Sequence, residues 1–530
     1  MKYRSAEQTA YAKLIAGALR PGPPLLAGAA AGLGKTHGFT GPLVESGKKV
    51  AIALSTRQLI DQFLVSDALK AALAIRPASV MALATRRSFV TDRQYREHKA
   101  LALQADVLLI THAAALIDSL MPSYAQLRER DVILFDEADL LADAADLRST
   151  FSVDAATLME CKADQLPHLE AAKIVKVKGV TSEERGAASA ILYALEHPAW
   201  YKEVGKDESG ALLLKHRMPG RMLKKLVNES KRCIFTSGTL QVSGRFDNFV
   251  QALGLTAIAP ESRHIEPVKH GTLTVEVAAD LMSISEMAHR ITNAERPALV
   301  LTTSHALSTE LADACTGSVA RGPGMSLEDA IARCPADGIL IAAGAWSGVD
   351  VPRLRWKTVV IPKTPYMRPA ILDERQVTRY LDSKVVAMRR TNQGLHRGLR
   401  SPDATCTLLL LDPRSSRTEL REAIPARFNV NWQSFEEGSK VIRDHLAEET
   451  VRSGALRAAA IKRYGAKCSH PGCAVVAIHM LDVHHLKPIA LGERRTVLDE
   501  VVVLCKNHHA EAHHLMRMAD LQVADSQEVL

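Results

Sequence analysis

Short apolar runs alternate with helix-like stretches along most of the 530-residue chain. Val50–Leu54, Val107–Thr111, Val132–Phe135 and Cys233–Thr236 are runs of four or five residues. Runs of that length between polar segments fit strands buried on both faces of a parallel sheet. The pattern returns at Leu299–Thr302, Ile339–Ala342, Val359–Ile361 and Leu408–Leu411. Two groups of such strands separated by helices predict an α/β chain with two parallel sheets. Between the groups, 152–225 is rich in charge and lacks clear strand runs, which predicts a largely helical insertion. From about 434 to 463 a polar stretch rich in Arg, Lys and Ala reads as a long helix leading into a Cys/His-rich end. The expected division is therefore 1–151 and 226–245 for the first α/β domain, 152–225 for its insertion and 246–432 for the second α/β domain. A linker helix at 433–463 and a small module at 464–530 complete it.

Composition narrows the class. Hydrophobic residues make up 47% and charged residues 24% of the chain, as in ordinary globular proteins. The length exceeds what one core can serve. No run of 18 uncharged apolar residues occurs, so no membrane span is expected. The stretch Met1–Lys13 lacks the apolar core of a signal peptide, and a cytoplasmic location is the expectation. A net charge of +8 suits a partner made of phosphates, although many enzymes share so modest an excess. Of the eight cysteines, Cys161, Cys233, Cys315, Cys334 and Cys406 are scattered and read as small buried hydrophobes. Cys468, Cys473 and Cys505 instead share the last segment with eight of the 20 histidines, a clustering that points to metal.

The octamer Ala29-Ala30-Ala31-Gly32-Leu33-Gly34-Lys35-Thr36 follows an apolar run and precedes a helical stretch. Small residues let backbone N–H groups approach phosphate oxygens, and the helix start adds positive partial charge. Lys35 would reach the β- and γ-phosphates of ATP, and Thr36 would offer its hydroxyl to Mg²⁺. About a hundred residues on, the strand ending at Phe135 delivers Asp136-Glu137-Ala138-Asp139. Asp136 would hold the Mg²⁺ and Glu137 would polarise the attacking water. Cations for the far side of such a cleft are available in Gln393-Gly394-Leu395-His396-Arg397-Gly398-Leu399-Arg400, where Arg397 and Arg400 stand three apart on a helical face. Taken alone, that octamer reads more simply as an exposed basic helix.

The ordered set of motifs over about 1–420 resembles the DinG/XPD branch of superfamily 2 helicases. The resemblance rests on Ser55–Gln62, Ala105–His112, Thr236-Ser237-Gly238-Thr239-Leu240, Trp346–Pro352, Lys363–Tyr366 and Leu411–Arg414. It departs from that branch at Thr111 for Asn, Ser347 for Glu and His396 for Gly, while Ala29 in place of the usual Gly is a form common in superfamily 2 helicases. It implies two RecA-like domains with an arch-like insertion in the first and 5′-to-3′ unwinding of DNA. Carried over by position, it puts Gln8, Gly348 and Asp350 on ATP with Ala29, Gly32 and Gly34. It puts Gln393, Arg397 and Arg400 on the transition state, and Ser55, Thr56, His112, Ser237, Thr239 and Thr303 on DNA. Ordinary members hold a 4Fe–4S cluster on four cysteines, but no cysteine lies between Gln62 and Asp136, so no such cluster is expected there. The CRISPR-associated DinG helicases of type IV systems are similar in this respect.

The C-terminal segment offers two ligand sets. Cys468-x4-Cys473 and Cys505-x2-His508 form two pairs suited to a closed tetrahedral, structural Zn²⁺ site. A module of about 60 residues has little core of its own and needs such a staple. The second set, Asp482-Val483-His484-His485 with His509-x3-His513, resembles the HNH, or ββα-metal, endonucleases. By position, His484, His509 and His513 would hold Mg²⁺ or Mn²⁺, His485 would be the general base, and Glu500 takes the middle position. The leading expectation is a helicase–nuclease that acts on single-stranded and duplex DNA with a type IV CRISPR ribonucleoprotein. The alternatives are a stand-alone plasmid- or phage-borne repair or restriction helicase–nuclease, and a helicase whose terminal module only binds DNA.

Overall fold

The computed structural model describes residues 1–434 except 31, 197–200, 207–208, 217–218, 269–270, 279–280, 347–353, 367–375, 400–402, 417 and 426–427. Beyond these it describes 460–471, 473–476, 481–485, 501–505, 507–508 and 511. The chain divides into two compact units, Met1–Ser434 and Phe435–Leu530.

The first unit opens with strands β1 (Leu25–Ala29), β2 (Val50–Leu54), β3 (Val80–Ala82), β4 (Val107–Thr111) and β5 (Val132–Phe135). An insertion then contributes β6 (Phe151–Val153), β7 (Tyr201–Lys206) and β8 (Leu212–His216), after which β9 (Cys233–Ser237) and β10 (Glu261–Ile265) return to the first sheet. Its order is β10-β1-β9-β5-β2-β4-β3, with every pair parallel. A second all-parallel sheet follows: β11 (Thr272–Val277), β12 (Ala298–Thr302), β13 (Ser318–Ala320), β14 (Ile339–Ala343), β15 (Thr358–Ile361), β16 (Thr405–Leu410) and β17 (Asn429–Ser434). Its order is β13-β14-β12-β15-β16-β11-β17.

The continuous apolar runs exist because each sheet is covered on both faces. Along β2, Val50, Ile52 and Leu54 enter one core with Tyr11 and Phe39. Ala51 and Ala53 enter the opposite core, where Phe135 and Phe235 stack with ring centroids 5.0 Å apart. The two-residue period sends alternate side chains to each face, so no position in the strand can be polar without burying an unpaired group. In the second sheet β12 divides its residues the same way: Leu299 and Leu301 face one core, Ala298 and Val300 the other.

The insertion differs from the helical body that the sequence predicts. Helices Ala155–Glu160, His168–Lys178 and Ser182–Glu196 are present, but they share one core with a three-stranded antiparallel sheet of order β6-β8-β7. The apolar run Ala211–Leu214 is followed at once by Lys215 and His216, and Tyr201–Lys206 mixes charged and apolar residues. Apart from that one run, the small antiparallel sheet therefore gave no clear strand signal.

In the second unit, 460–464 is helical, and β18 (Leu481–His485) pairs antiparallel with β19 (Val501–Cys505). Most of the expected linker helix, 435–459, lies outside the described residues. Among the described residues no helix is long and apolar enough to cross a membrane.

Candidate functional site

The phosphate cradle forms where β1 ends. Gly32 and Gly34 adopt φ values of 77° and 83°, a left-handed conformation that favours glycine. Gly34 is also the N-cap of helix Lys35–Glu45, so the free N–H groups of the helix start face the loop. Gln8, buried on helix Ala6–Gly17, donates from Nε2 to the Gly34 carbonyl at 2.9 Å, while its Oε1 accepts from the Arg4 N–H at 2.8 Å. The Lys35 ammonium rests on the Ala29 carbonyl at 3.3 Å. Thr36 follows in the first helical turn.

The acids leave the sheet at the end of β5, two strands from β1. Burial pushes the Asp136 carboxyl up to about 7, the Glu137 charge adds to this, and Lys35 opposes it. Burial likewise raises Glu137. Glu137 has φ 48° and ψ 42°, unusual for a residue with a side chain; its N–H is captured by Asp136 Oδ1 at 2.9 Å, and its carboxylate accepts from Ser55 Oγ at 2.5 Å. His112 donates from Nε2 to the Asp136 carbonyl at 2.8 Å, and burial holds its pKa down at about 4, so the ring is neutral at pH 7.

The second sheet reaches this loop through helix Gln376–Gly398. Asp139 Oδ2 accepts from Gln393 Nε2 at 2.6 Å and from Thr239 Oγ1 at 2.7 Å; Ser237 donates to Oδ1. Arg389 donates to the Asp139 carbonyl at 2.8 Å and to Asp143 Oδ2 at 2.6 Å. Arg397 donates to the Trp346 carbonyl at 2.7 Å, and its charge acts on Glu137. The cradle lysine, the paired acids and Gln393 with Arg397 thus belong to one polar and charged cluster.

Three positions read as DNA contacts are placed otherwise. Ser237, Thr239 and His112 are buried and are committed to Asp139 or Asp136. Their work in this conformation is to fix the acids. Ser55 likewise faces Glu137, while Thr56 and Thr303 are exposed at the ends of their strands. The helix that carries Arg397 ends at Gly398, and the shared face expected with Arg400 falls outside the described residues. The observed stripe is Arg389, Gln393 and Arg397, spaced by four, and Arg389 was missed although that spacing was visible in the sequence. Gly348, Asp350, Arg400, Glu500, His509 and His513 lie outside the described residues.

In the second unit, Cys468, Cys473, Cys505 and His508 bring one ligand atom each to within 4.8 Å of one another. His508 Nδ1 lies 3.2 Å from Cys505 Sγ and 3.5 Å from Cys468 Sγ, and Cys473 Sγ lies 3.9 Å from Cys505 Sγ. A tetrahedral ion with metal–sulfur bonds near 2.3 Å sets its sulfurs about 3.8 Å apart, so this donor set fits one. Cys505 is drawn below its usual range by the N–H groups of His508 and Asn507 and by its thiol neighbours. The hairpin sets His484 opposite Val502 and His485 opposite Val501.

Residues 8–165 match the family model of DEAD/DEAH box helicases, and 290–431 match that of a helicase C-terminal domain. Among solved structures, one named XPD_Helicase is similar at 15% identity and TM-score 0.60, covering 82% of this chain and 100% of its own. XPD_APO is similar at 16% and 0.56, covering 81% and 100%. Xpd4 from S. tokodaii is similar at 14% and 0.53, covering 81% and 99%. At such identities the likeness is one of fold. No curated protein matches the chain.

Proposed function

We propose that this chain, whose two helicase domain matches and fold support an XPD/DinG-like superfamily 2 helicase, is an ATP-driven 5′-to-3′ DNA helicase carrying a metal-dependent HNH endonuclease, and that it works with a type IV CRISPR guide-RNA complex. One observation carries the motor reading: Asp139, three residues past the Mg²⁺-binding candidate Asp136, accepts from Gln393 of the second sheet's helix at 2.6 Å. ATP in that cleft would meet Lys35, the helix start and Thr36 from one half and Arg397 from the other. Mg²⁺, when bound by Thr36 and Asp136, would neutralise charge on the β- and γ-phosphates. Glu137 would take the proton of the attacking water, and Arg397 would stabilise the charge that develops on the γ-phosphoryl group. Each ATP turnover would then change the contacts between Asp139, Gln393 and Arg389, and a strand held by both halves would be moved. Grip through phosphates makes binding salt-sensitive and weakly sequence-specific.

The nuclease reading is supported by the Cys/His cluster beside a β-hairpin that carries His484 and His485. Zn²⁺ in the cluster would hold the module together, and His484, His509 and His513 would bind the catalytic ion. The RNA-guided setting is supported by the absence of cysteine between Gln62 and Asp136 and by the terminal Cys/His module itself. The test compares wild type, Lys35→Ala and His485→Ala on forked DNA with ATP and Mg²⁺. Lys35→Ala is expected to lose unwinding, and His485→Ala only cutting. Unwinding lost in both variants would sink the division of labour, and no cleavage with any divalent metal would leave a DNA-binding module. Co-purification with a guide-RNA complex separates the CRISPR setting from a stand-alone enzyme.

A further inference from the structure

We infer that Ser55 is a positioning residue that holds the Glu137 carboxylate away from the phosphate cradle, and that single-stranded DNA engaging the Ser55–Thr56 loop releases it for hydrolysis. The inference rests on the ATP-driven motor proposed above. It starts from strand order. β2 lies beside β5 with Ala53 opposite Phe135, so Ser55 and Glu137 leave the sheet side by side, and Ser55 Oγ donates to Glu137 Oε2 at 2.5 Å. The local order is β1-β9-β5-β2. Strands stand about 4.8 Å apart, so the cradle at the end of β1 is about 10 Å to one side of β5 while Ser55 is on the other. A carboxylate bonded to Ser55 is therefore drawn toward β2 and away from β1, while the Lys35 and Arg397 charges still act on it.

Release needs no backbone change: the Glu137 N–H stays on Asp136 Oδ1, and rotation of the side chain suffices. The releasing surface is present. Thr56 is exposed and caps helix Arg57–Leu64, whose Arg57 is also exposed. That helix is tied to the second sheet's half, because Glu328 accepts from Gln58 and, at 3.2 Å, from Gln62. A strand gripping Thr56 and Arg57, or a change in the separation of the halves, would draw on Ser55 directly.

The test measures ATP turnover by the full chain with and without an oligo-dT strand. Ser55→Ala should raise the DNA-free kcat about tenfold, the worth of one charge-assisted hydrogen bond, with KM for ATP unchanged. Stimulation by oligo-dT should shrink by the same factor. Ser55→Thr keeps the hydroxyl and should keep the low basal rate. A Ser55→Ala enzyme whose DNA-free kcat is unchanged or lower, with only weaker oligo-dT binding, overturns the inference and leaves Ser55 a plain DNA contact. Lys35→Ala run alongside separates the two readings. Turnover that survives it removes the motor itself, whereas turnover abolished by it, with Ser55→Ala inert, removes only the restraint.

Discussion

Arg389 spans the two halves of the first unit, with Nη2 on Asp143 Oδ2 at 2.6 Å and Nη1 on the Asp139 carbonyl at 2.8 Å. Arg389 is nearly buried, while the Asp143 side chain keeps 40% of its exposure, so solvent screens the pair and its direct worth is about 1 kcal/mol. The bond to the Asp139 carbonyl adds a positional role that the ion pair lacks. Arg389→Ala should therefore lower kcat/KM for ATP more than Asp143→Asn does, about tenfold against two- to threefold. A double-mutant cycle on kcat/KM should show coupling of about 1 kcal/mol. Equal losses in the two single variants would mean that the ion pair alone matters.

Asp136 supplies a pH prediction. Burial raises its folded pKa to about 7 from 3.8. Between those values the folded chain keeps a proton that the unfolded chain has lost, so this group's contribution to stability falls as pH rises from about 4 to about 7 and is flat above. Binding of Mg²⁺ with nucleotide must displace that proton. Affinity for Mg·ADP should then rise about tenfold per pH unit below 7 and level off above it. Calorimetry in buffers of different ionisation enthalpy would register the released proton. A slope that persists in Asp136→Asn would assign the proton elsewhere.

The central strands of both sheets were legible because they are buried on two faces, and a run such as Val50–Leu54 admits few other readings, whereas the half-exposed β3, β10 and β13 gave no such runs. The insertion's sheet was not, because β7 mixes charged and apolar residues and the apolar run of β8 ends in Lys215 and His216. The cradle and the acids announced themselves by spacing. The partners of those acids did not: Ser55 meets Glu137 only because β2 lies next to β5, and no local pattern in the sequence states which strands are neighbours. The same holds for Ser237 and Thr239, whose hydroxyls look like surface donors until β9 brings them to Asp139.

Gly34 is constrained twice. Its φ of 83° strains any side chain, and a Cβ there would lie 2.4 Å from Gln8 Nε2. Gly34→Ala should cost about 1–2 kcal/mol in backbone strain alone and push Gln8 off the Gly34 carbonyl. Nucleotide affinity should fall by about a hundredfold, the loss expected when a phosphate loop is reshaped. Gln8→Ala leaves the loop's backbone free to keep its shape and should lose about tenfold. Fluorescent ADP binding reads both, and Gly34→Ala with wild-type affinity would show that the loop tolerates another path.

The terminal module gives the last prediction. Its core among the described residues contains Ala460, Leu481, Val503 and Leu504 besides Cys468 and Cys505, which is little apolar surface to hold a fold. Zn²⁺ on three thiolates and one imidazole would contribute about 10–16 kcal/mol of apparent binding energy to folding. Chelation should therefore open 460–511 to protease while turnover of ATP by the first unit continues. Cys505→Ser should lose most of the metal, because its sulfur sits among the other ligand atoms, 3.9 Å from Cys473 Sγ and 3.2 Å from His508 Nδ1. His508→Cys should keep one metal per chain, since four thiolates also close a tetrahedral site, whereas His508→Ala should lose it. Metal content by mass spectrometry decides the matter: equal zinc in wild type and Cys505→Ser would mean that these four residues are not its ligands.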